Sequence, residues 1–224
     1  MAKRGEWKKQ HPILGFLVET LTIFVVAVMV AAVVNTFVFQ PFRIPSSSME
    51  NTLRIKDRVI AIKYDKKPQR GQVVVFADSQ GWLAGQELVS QTIGDTIQGF
   101  LERIHVRGSG QFLIKRVIGV GGDKVECCTP SGKLRVNGVE VNEPYLKPGV
   151  APSAVPFSVV VPAGHYWMMG DNREHSGDSR LHINDGKAFV PAKDIVGVAK
   201  WVAYPLNRIG KIPESADLKK IGKK

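Results

Sequence analysis

Cysteine is scarce in this chain: 224 residues contain two, and they are neighbours, Cys127 and Cys128. The spacing that a four-ligand zinc site needs is absent, so no metal is expected. Adjacent thiols can close a vicinal disulfide. Their Cα atoms, about 3.8 Å apart across a trans peptide, are closer than a disulfide prefers, so such a bridge is strained. The plainer reading is two small residues on a strand, and an extracytoplasmic setting would favour the bridge. Aromatic residues are only 8% of the chain, and none alternate with cations along a basic helix. Nucleic-acid binding therefore has little support despite a formal net charge of +11. The cations are scattered, apart from Lys219, Lys220, Lys223 and Lys224, and read as solvated surface or a face toward anionic lipid. Internal repeats and low-complexity tracts are missing, and after Tyr204 there is no long apolar run.

One long apolar run is present. Ile13 to Phe39 is dominated by Leu, Val, Ile, Phe and Ala, and between Leu21 and Val34 the only polar residue is Thr22. About 20 such residues span a bilayer as a helix. A cleaved signal peptide is the rival reading. However, the run is longer than a signal-peptide core, and a cut after Ala32 would leave Val33 and Val34 inside the membrane. An uncleaved anchor is expected. Lys3, Arg4, Lys8 and Lys9 precede it against one acid, Glu6, while only Arg43 follows early on the other side. The positive-inside rule then puts the N-terminus in the cytoplasm and the remaining chain outside.

Beyond Arg43 the chain reads mainly as strands. Arg58 to Lys63, Gln72 to Phe76, Phe112 to Val120, Ser158 to Val161, Tyr166 to Met169 and Ile195 to Val202 are β-branched or aromatic runs between turn residues. Leu134 to Val141 carries Asn137-Gly138 at its centre, the signal for a hairpin with a type I′ turn. Short strands at this spacing predict a mainly antiparallel β fold. Residues 77–109 break the pattern. Ile93, Ile97, Phe100, Leu101 and Ile104 fall on one helical face, weakened by Gly94 and Gly99, which predicts a surface helix on the sheet. Trp82 and Leu83 are candidates for dipping into lipid headgroups.

Nucleophilic chemistry needs an activated hydroxyl or thiol. Among five histidines, His11 precedes the span, and His175 lies beside Ser176 and Asp178. That trio invites a triad reading, but neighbours in sequence rarely meet in triad geometry. Lysine is the other possible base, provided burial lowers its pKa. Lys115 is the one lysine with apolar neighbours on both sides, in Phe112-Leu113-Ile114-Lys115-Arg116-Val117-Ile118. It is either a buried base or an edge-strand lysine that blunts aggregation. Ser46 and Ser48 in Ile44-Pro45-Ser46-Ser47-Ser48-Met49 would share one side of an extended segment, one to attack and one to donate to an oxyanion. The bland alternative is a serine linker leaving the membrane.

In their order, these segments resemble the motifs of bacterial type I signal peptidases. The matching stretches are Ile44 to Leu53 directly after an anchor, Arg70 to Phe76, Ile114 to Val125, Asn142-Glu143-Pro144-Tyr145-Leu146, and Met169-Gly170-Asp171-Asn172-Arg173-Glu174-His175-Ser176-Gly177-Asp178-Ser179-Arg180. The resemblance implies Ser48 as nucleophile and Lys115 as general base. It implies Ser46 as an oxyanion donor beside the Ser48 amide, and Ser176 as the hydroxyl orienting the lysine. Asp178 and Arg180 become a supporting ion pair, with Arg116 as a further participant. Phe42, Ile44, Pro45, Met49 and Ile114 line shallow pockets for small side chains. Two departures stand out: many members carry proline where Asn51 stands, and aspartate-asparagine where Glu174-His175 stands.

The resemblance thus implies an antiparallel-sheet, signal-peptidase-like catalytic domain after one N-terminal transmembrane helix. The expected divisions are a cytoplasmic tail at 1–12, an anchor at 13–39, a peptidase domain at 40–210 with an insert at 77–109, and a basic tail at 211–224. The implied activity is a membrane-bound serine endopeptidase cutting signal peptides from secreted preproteins after small residues, without metal or organic cofactor. Its partners are preproteins and the lipid bilayer. Two alternatives are a self-cleaving repressor-type serine–lysine protease and a non-catalytic anchored β-domain that binds peptides.

Overall fold

A computed structural model describes residues 12–83 and 112–222. The chain divides into two compact units, residues 1–39 and 40–224. In the first, helix α1 (Pro12–Phe37) has 26 residues. At 1.5 Å per residue it is about 39 Å long, more than a hydrocarbon core of about 30 Å. Ile13, Leu17, Leu21 and Phe24 are all exposed, so the helix carries apolar surface that the protein itself leaves uncovered. By length and composition it is one helix able to cross a membrane. The helix ends sooner than the apolar run: Phe39 opens strand β1 (Phe39–Arg43). Pro41 explains this, because proline lacks the N–H a helix interior needs and disfavours helical geometry in the residue before it.

In the second unit, the described strands are β2 (Arg58–Ile62), β3 (Val73–Ala77), β4 (Phe112–Val120), β5 (Lys124–Cys127), β6 (Leu134–Val136), β7 (Val139–Val141), β8 (Phe157–Val160), β9 (His165–Met169), β10 (Phe189–Pro191), β11 (Ile195–Tyr204) and β12 (Gly210–Lys211). The fold is mainly antiparallel β, as the sequence predicts. One sheet runs β1-β2-β11-β3-β4-β9-β10, with β12 added to β11, and the other runs β7-β6-β5-β8. Proline at an edge fits β1. Strand β4 is internal, pairing with β3 (Val74 opposite Lys115) and with β9 (Arg116 opposite Met169). The edge-strand reading of Lys115 is therefore wrong. A nine-residue strand with apolar residues on either side of Lys115 and Arg116 suits a position with neighbours on both sides. The Asn137-Gly138 hairpin forms as expected, with φ of 51° and 84°.

Three apolar clusters fill the unit. One gathers Ile44, Met49, Leu53, Val75 and Ile114, another Val74, Phe76, Trp82, Val117 and Val198, and a third Ile118, Leu134, Trp167 and Leu218. Trp82 is thus a core residue and does not dip into lipid. Its ring stacks on His182 and its indole N–H donates to the Lys187 carbonyl. The predicted helical face at Ile93 to Ile104 lies outside the described residues. Of the segment expected as a basic tail at 211–224, residues 211–222 are described and are built into the unit. Helix α2 (Ala216–Lys220) is capped by Ser215 and buries Leu218, and Ile221 accepts a hydrogen bond from the Arg70 guanidinium. The apolar spacing of Leu218 and Ile221 outweighs the charge that made the segment look solvated.

Candidate active site

Ser48 does not lie on an extended segment. Residues 48–53 form a tight turn, with the Glu50 N–H bonded to the Ser47 carbonyl and the Leu53 N–H to the Met49 carbonyl. Met49 and Leu53 are wholly buried, and drawing both into the core bends the chain. Even so, the Ser46 hydroxyl reaches the Ser48 hydroxyl at 3.3 Å. A second loop clamps the turn. The Asn172 backbone N–H donates to the Ser48 carbonyl at 3.0 Å and its side-chain amide to the Ser47 carbonyl at 3.1 Å. Gly170 makes the approach possible: a Cβ there would sit 2.5 Å from the Ser48 carbonyl oxygen and closer still to the Ser176 hydroxyl.

Lys115 comes to this turn from β4. Its amine donates to the Ser48 hydroxyl at 2.7 Å, and only 2% of the residue is exposed. Burial drives its pKa from 10.5 down to about 8; Asp178 and Asp171 pull it up and Arg180 pushes it further down. No carboxylate pairs with the amine among the described residues. Asp178, the carboxylate with the strongest pull on it, is engaged elsewhere: it accepts from the Gly170 N–H at 2.9 Å and from the Arg180 guanidinium at 2.9 Å. Burial opposes the Asp178 charge, but the Arg180 contact and the Gly170 N–H overcome it and hold the carboxyl below its ordinary pKa.

Arg116 takes no part in the Asp178–Arg180 pair, contrary to expectation. Its guanidinium grips Asp171 through two bonds of 2.8 and 2.7 Å and donates to the carbonyls of Gly71 and Pro213. The Tyr145 ring covers it, 4.1 Å away. Consecutive strand residues point to opposite faces, so Arg116 cannot follow Lys115 to the same carboxylate. Burial works against the guanidinium charge, and Asp171 more than offsets it, raising the pKa.

Ser176 is buried, with its hydroxyl unbonded among the described residues, so no Ser176–Lys115 hydrogen bond is seen. His175 is exposed. With Asp178 held by Arg180, the trio of His175, Ser176 and Asp178 does not assemble as a triad. Ile44, Met49 and Ile114 share one cluster, Phe42 packs against it, and Pro45 is exposed. Met49 is fully covered, so it would shape a pocket from beneath. A cavity of about 690 Å³ lined by Lys67, Gly122, His165 and Lys219 lies apart from all of these residues. Cys127 and Cys128 are disulfide-bonded to each other, at the end of β5.

The sequence model of the signal peptidase family, peptidase S26, matches residues 17–204. The chain belongs to this family. It is a serine peptidase, a hydrolase. Among S26 relatives, signal peptidase I of Mycobacterium tuberculosis is 36% identical over 218 residues, covering 86% of this chain and 74% of the relative. Signal peptidase I S of Bacillus subtilis is 30% identical, over 87% of this chain and 93% of the relative. A solved signal peptidase I from Enterococcus faecalis is 26% identical over 60% of this chain and 97% of that one, with a TM-score of 0.39.

Three residues at this S26 site, Asp171, Asn172 and Tyr145, escape residue-by-residue reading, and a fourth, Asn51, stands out only as a departure from the family. Asp171 and Asn172 sit inside a motif quoted for its serine and arginine, and their partners lie 55 and 125 residues away. Tyr145 is in the Asn142–Leu146 stretch, where nothing signals a ring over Arg116. Asn51 has φ of 86°, and its side-chain amide donates to the carbonyls of Tyr145 and Leu146. The signal for Asn51 is visible in sequence, since asparagine tolerates positive φ and proline cannot adopt it.

Proposed function

We propose that this chain removes signal peptides from secreted preproteins as a membrane-anchored endopeptidase with a Ser48–Lys115 dyad. The observation that carries the reading is the 2.7 Å contact between the Ser48 hydroxyl and a buried Lys115 amine that has no carboxylate partner among the described residues. A serine hydroxyl is a weak nucleophile until a base takes its proton. A lysine does so only when neutral, and burial brings Lys115 into that range near neutral pH.

The segment of the preprotein before the cut adds as an extended strand beside the residues that lead into Ser48. Its small side chains fit against Phe42, Ile44, Pro45 and Ile114, over Met49. Lys115 accepts the Ser48 proton as Ser48 Oγ attacks the scissile carbonyl. The Ser48 N–H and the Ser46 hydroxyl stabilise the oxyanion. Lys115 then hands its proton to the departing amine, and the new N-terminus leaves. Lys115 next takes a proton from a water that attacks the acyl-enzyme, and passes it to Ser48 Oγ as the ester bond breaks and the signal peptide leaves with its new carboxylate. Ser176 and the Asp178–Arg180 pair wall the amine and keep Asp178 from neutralising it. Helix α1 is the anchor, with residues 1–12 cytoplasmic and the β unit outside. Confining enzyme and substrate to one membrane raises their effective concentration.

The test is full-length enzyme in lipid, assayed on a preprotein. Ser48→Ala and Lys115→Ala are each expected to abolish cleavage, and His175→Ala to retain most of it. Appreciable turnover by either dyad variant would overturn the reading.

A further inference from the structure

One short segment touches near neighbours of both halves of the dyad. Residues Glu143–Lys147 follow β7, and they meet the nucleophile's turn at two points. The Asn51 amide donates to the carbonyls of Tyr145 and Leu146 at 2.8 and 3.0 Å, and Lys147 pairs with Glu50 at 2.9 Å. The same segment meets the base's strand, because the Tyr145 ring lies 4.1 Å over the guanidinium of Arg116, next to Lys115. It also reaches the clamping loop: Glu143 binds Arg173, which donates to the Gly170 carbonyl at 2.9 Å. The Glu143–Arg173 pair and the Tyr145–Arg116 contact are buried, the Asn51 bond to Tyr145 is half-buried, and the Asn51 bond to Leu146 and the Lys147–Glu50 pair face solvent.

We infer that residues 143–147 form a brace that sets Ser48 against Lys115, and that Asn51 is its clasp, a positioning residue that touches no reacting atom. Asn51 does two things there. Its backbone takes φ of 86°, which lets the chain turn back after Met49. Its amide supplies two donors to carbonyls 94 and 95 residues away. A proline at this position would offer neither the angle nor the donors. The nucleophile's turn is therefore fixed here by a side-chain clasp. Without the clasp the turn keeps its bonds to Asn172, Asp171 and Arg208 and the exposed Lys147–Glu50 pair, but loses both bonds to the backbone of the brace. Ser48 would then drift, and water would enter around Lys115.

The inference rests on the dyad reading, and the two can fail separately. Glycine adopts positive φ at no cost, so Asn51→Gly keeps the turn and removes only the clasp. The experiment uses full-length enzyme in lipid and a serine-acylating inhibitor to count active sites before kinetics. Per active site, Asn51→Gly is expected to lower kcat about tenfold with KM within about twofold, as loss of orientation does. The pH midpoint of kcat/KM is expected to move up, because a wetter Lys115 regains its proton more readily. Asp178, Asp171, Arg180 and the adjacent Arg116 are the charged groups around that amine, and none is altered by this substitution. An unchanged kcat overturns the brace. So does a fall in the number of active sites with an unchanged midpoint, which marks a purely structural role. If the unaltered enzyme is not labelled at Ser48, the dyad falls and the brace falls with it.

Discussion

Lys115 and Arg116 are adjacent on β4 and both are buried, one against a hydroxyl and the other against a carboxylate. Around Arg116 the chain collects a bidentate aspartate, two carbonyls and an aromatic face. Every donor that counts is met, and the guanidinium keeps its charge at any pH of interest. Around Lys115 the described residues place no paired counter-ion, and the nearby carboxylate, Asp178, is tied to Arg180. The same burial produces a fixed scaffold in one case and a titratable base in the other. What separates them is the allocation of carboxylates: Asp171 is given to the arginine, and Asp178 is kept from the lysine.

Lys115→Arg attacks that contrast most directly. It retains size and charge but cannot release a proton near neutral pH. Cleavage should fall by about 10²–10⁴-fold, the range for loss of a general base, and a variant with near-normal turnover would mean that Lys115 acts only as a cation. In the unaltered enzyme, kcat/KM should rise with pH through a midpoint near 8 as the amine becomes neutral.

Asp171→Asn strips Arg116 of its counter-charge. Breaking a buried pair from one side costs about 3–5 kcal/mol, and denaturant unfolding should register it. A change below about 1 kcal/mol, the scale of an exposed pair, would show that the pair is better solvated than its burial indicates. Lys115→Met should act the other way. The folded pKa lies below the unfolded 10.5, so the unfolded chain binds this proton more tightly. The resulting penalty is full below about pH 8 and vanishes as pH rises through 10.5. Removing the amine should stabilise the protein at pH 7 by on the order of 3 kcal/mol and do nothing at pH 11. Parallel stability–pH curves for the two proteins would contradict the depressed pKa.

Arg180→Gln is expected to have the smallest effect. It removes a cation that pushes protons off Lys115 and frees Asp178 to attract them. Both changes raise the lysine pKa, so the activity midpoint should move up by a fraction of a unit. A downward shift would reverse the role assigned to this pair.

Local signals made the strands, the I′ hairpin and the apolar helix legible in the sequence, because each depends on side-chain period or on a two-residue turn. Lys115 was legible as a candidate for the same reason, since its neighbours announce its burial. The choice between buried base and edge lysine was not, because it depends on β9 lying on the far side of β4, about 50 residues on. Asp171 and Asp178 look alike in one motif, and only the pleat of β4 and the fold of the loop assign them to different partners. The docked segment after Lys211 was hidden by its lysines, which stay at the surface while Leu218 and Ile221 turn inward.

That docked segment has a consequence for timing. The Arg116 guanidinium donates to the Pro213 carbonyl, 97 residues later in the chain. Gly71 is pressed so closely by the same segment that a Cβ would meet the Ser215 carbonyl oxygen at 2.7 Å. During synthesis the strand that bears Lys115 is complete long before its neighbour's last acceptor exists, and contacts of such long range close slowly. A chain interrupted before residue 213 should leave the Arg116 guanidinium one acceptor short and Ser48 slow to acylate. Cutting ability would then wait on an acceptor that follows the base's strand by 97 residues.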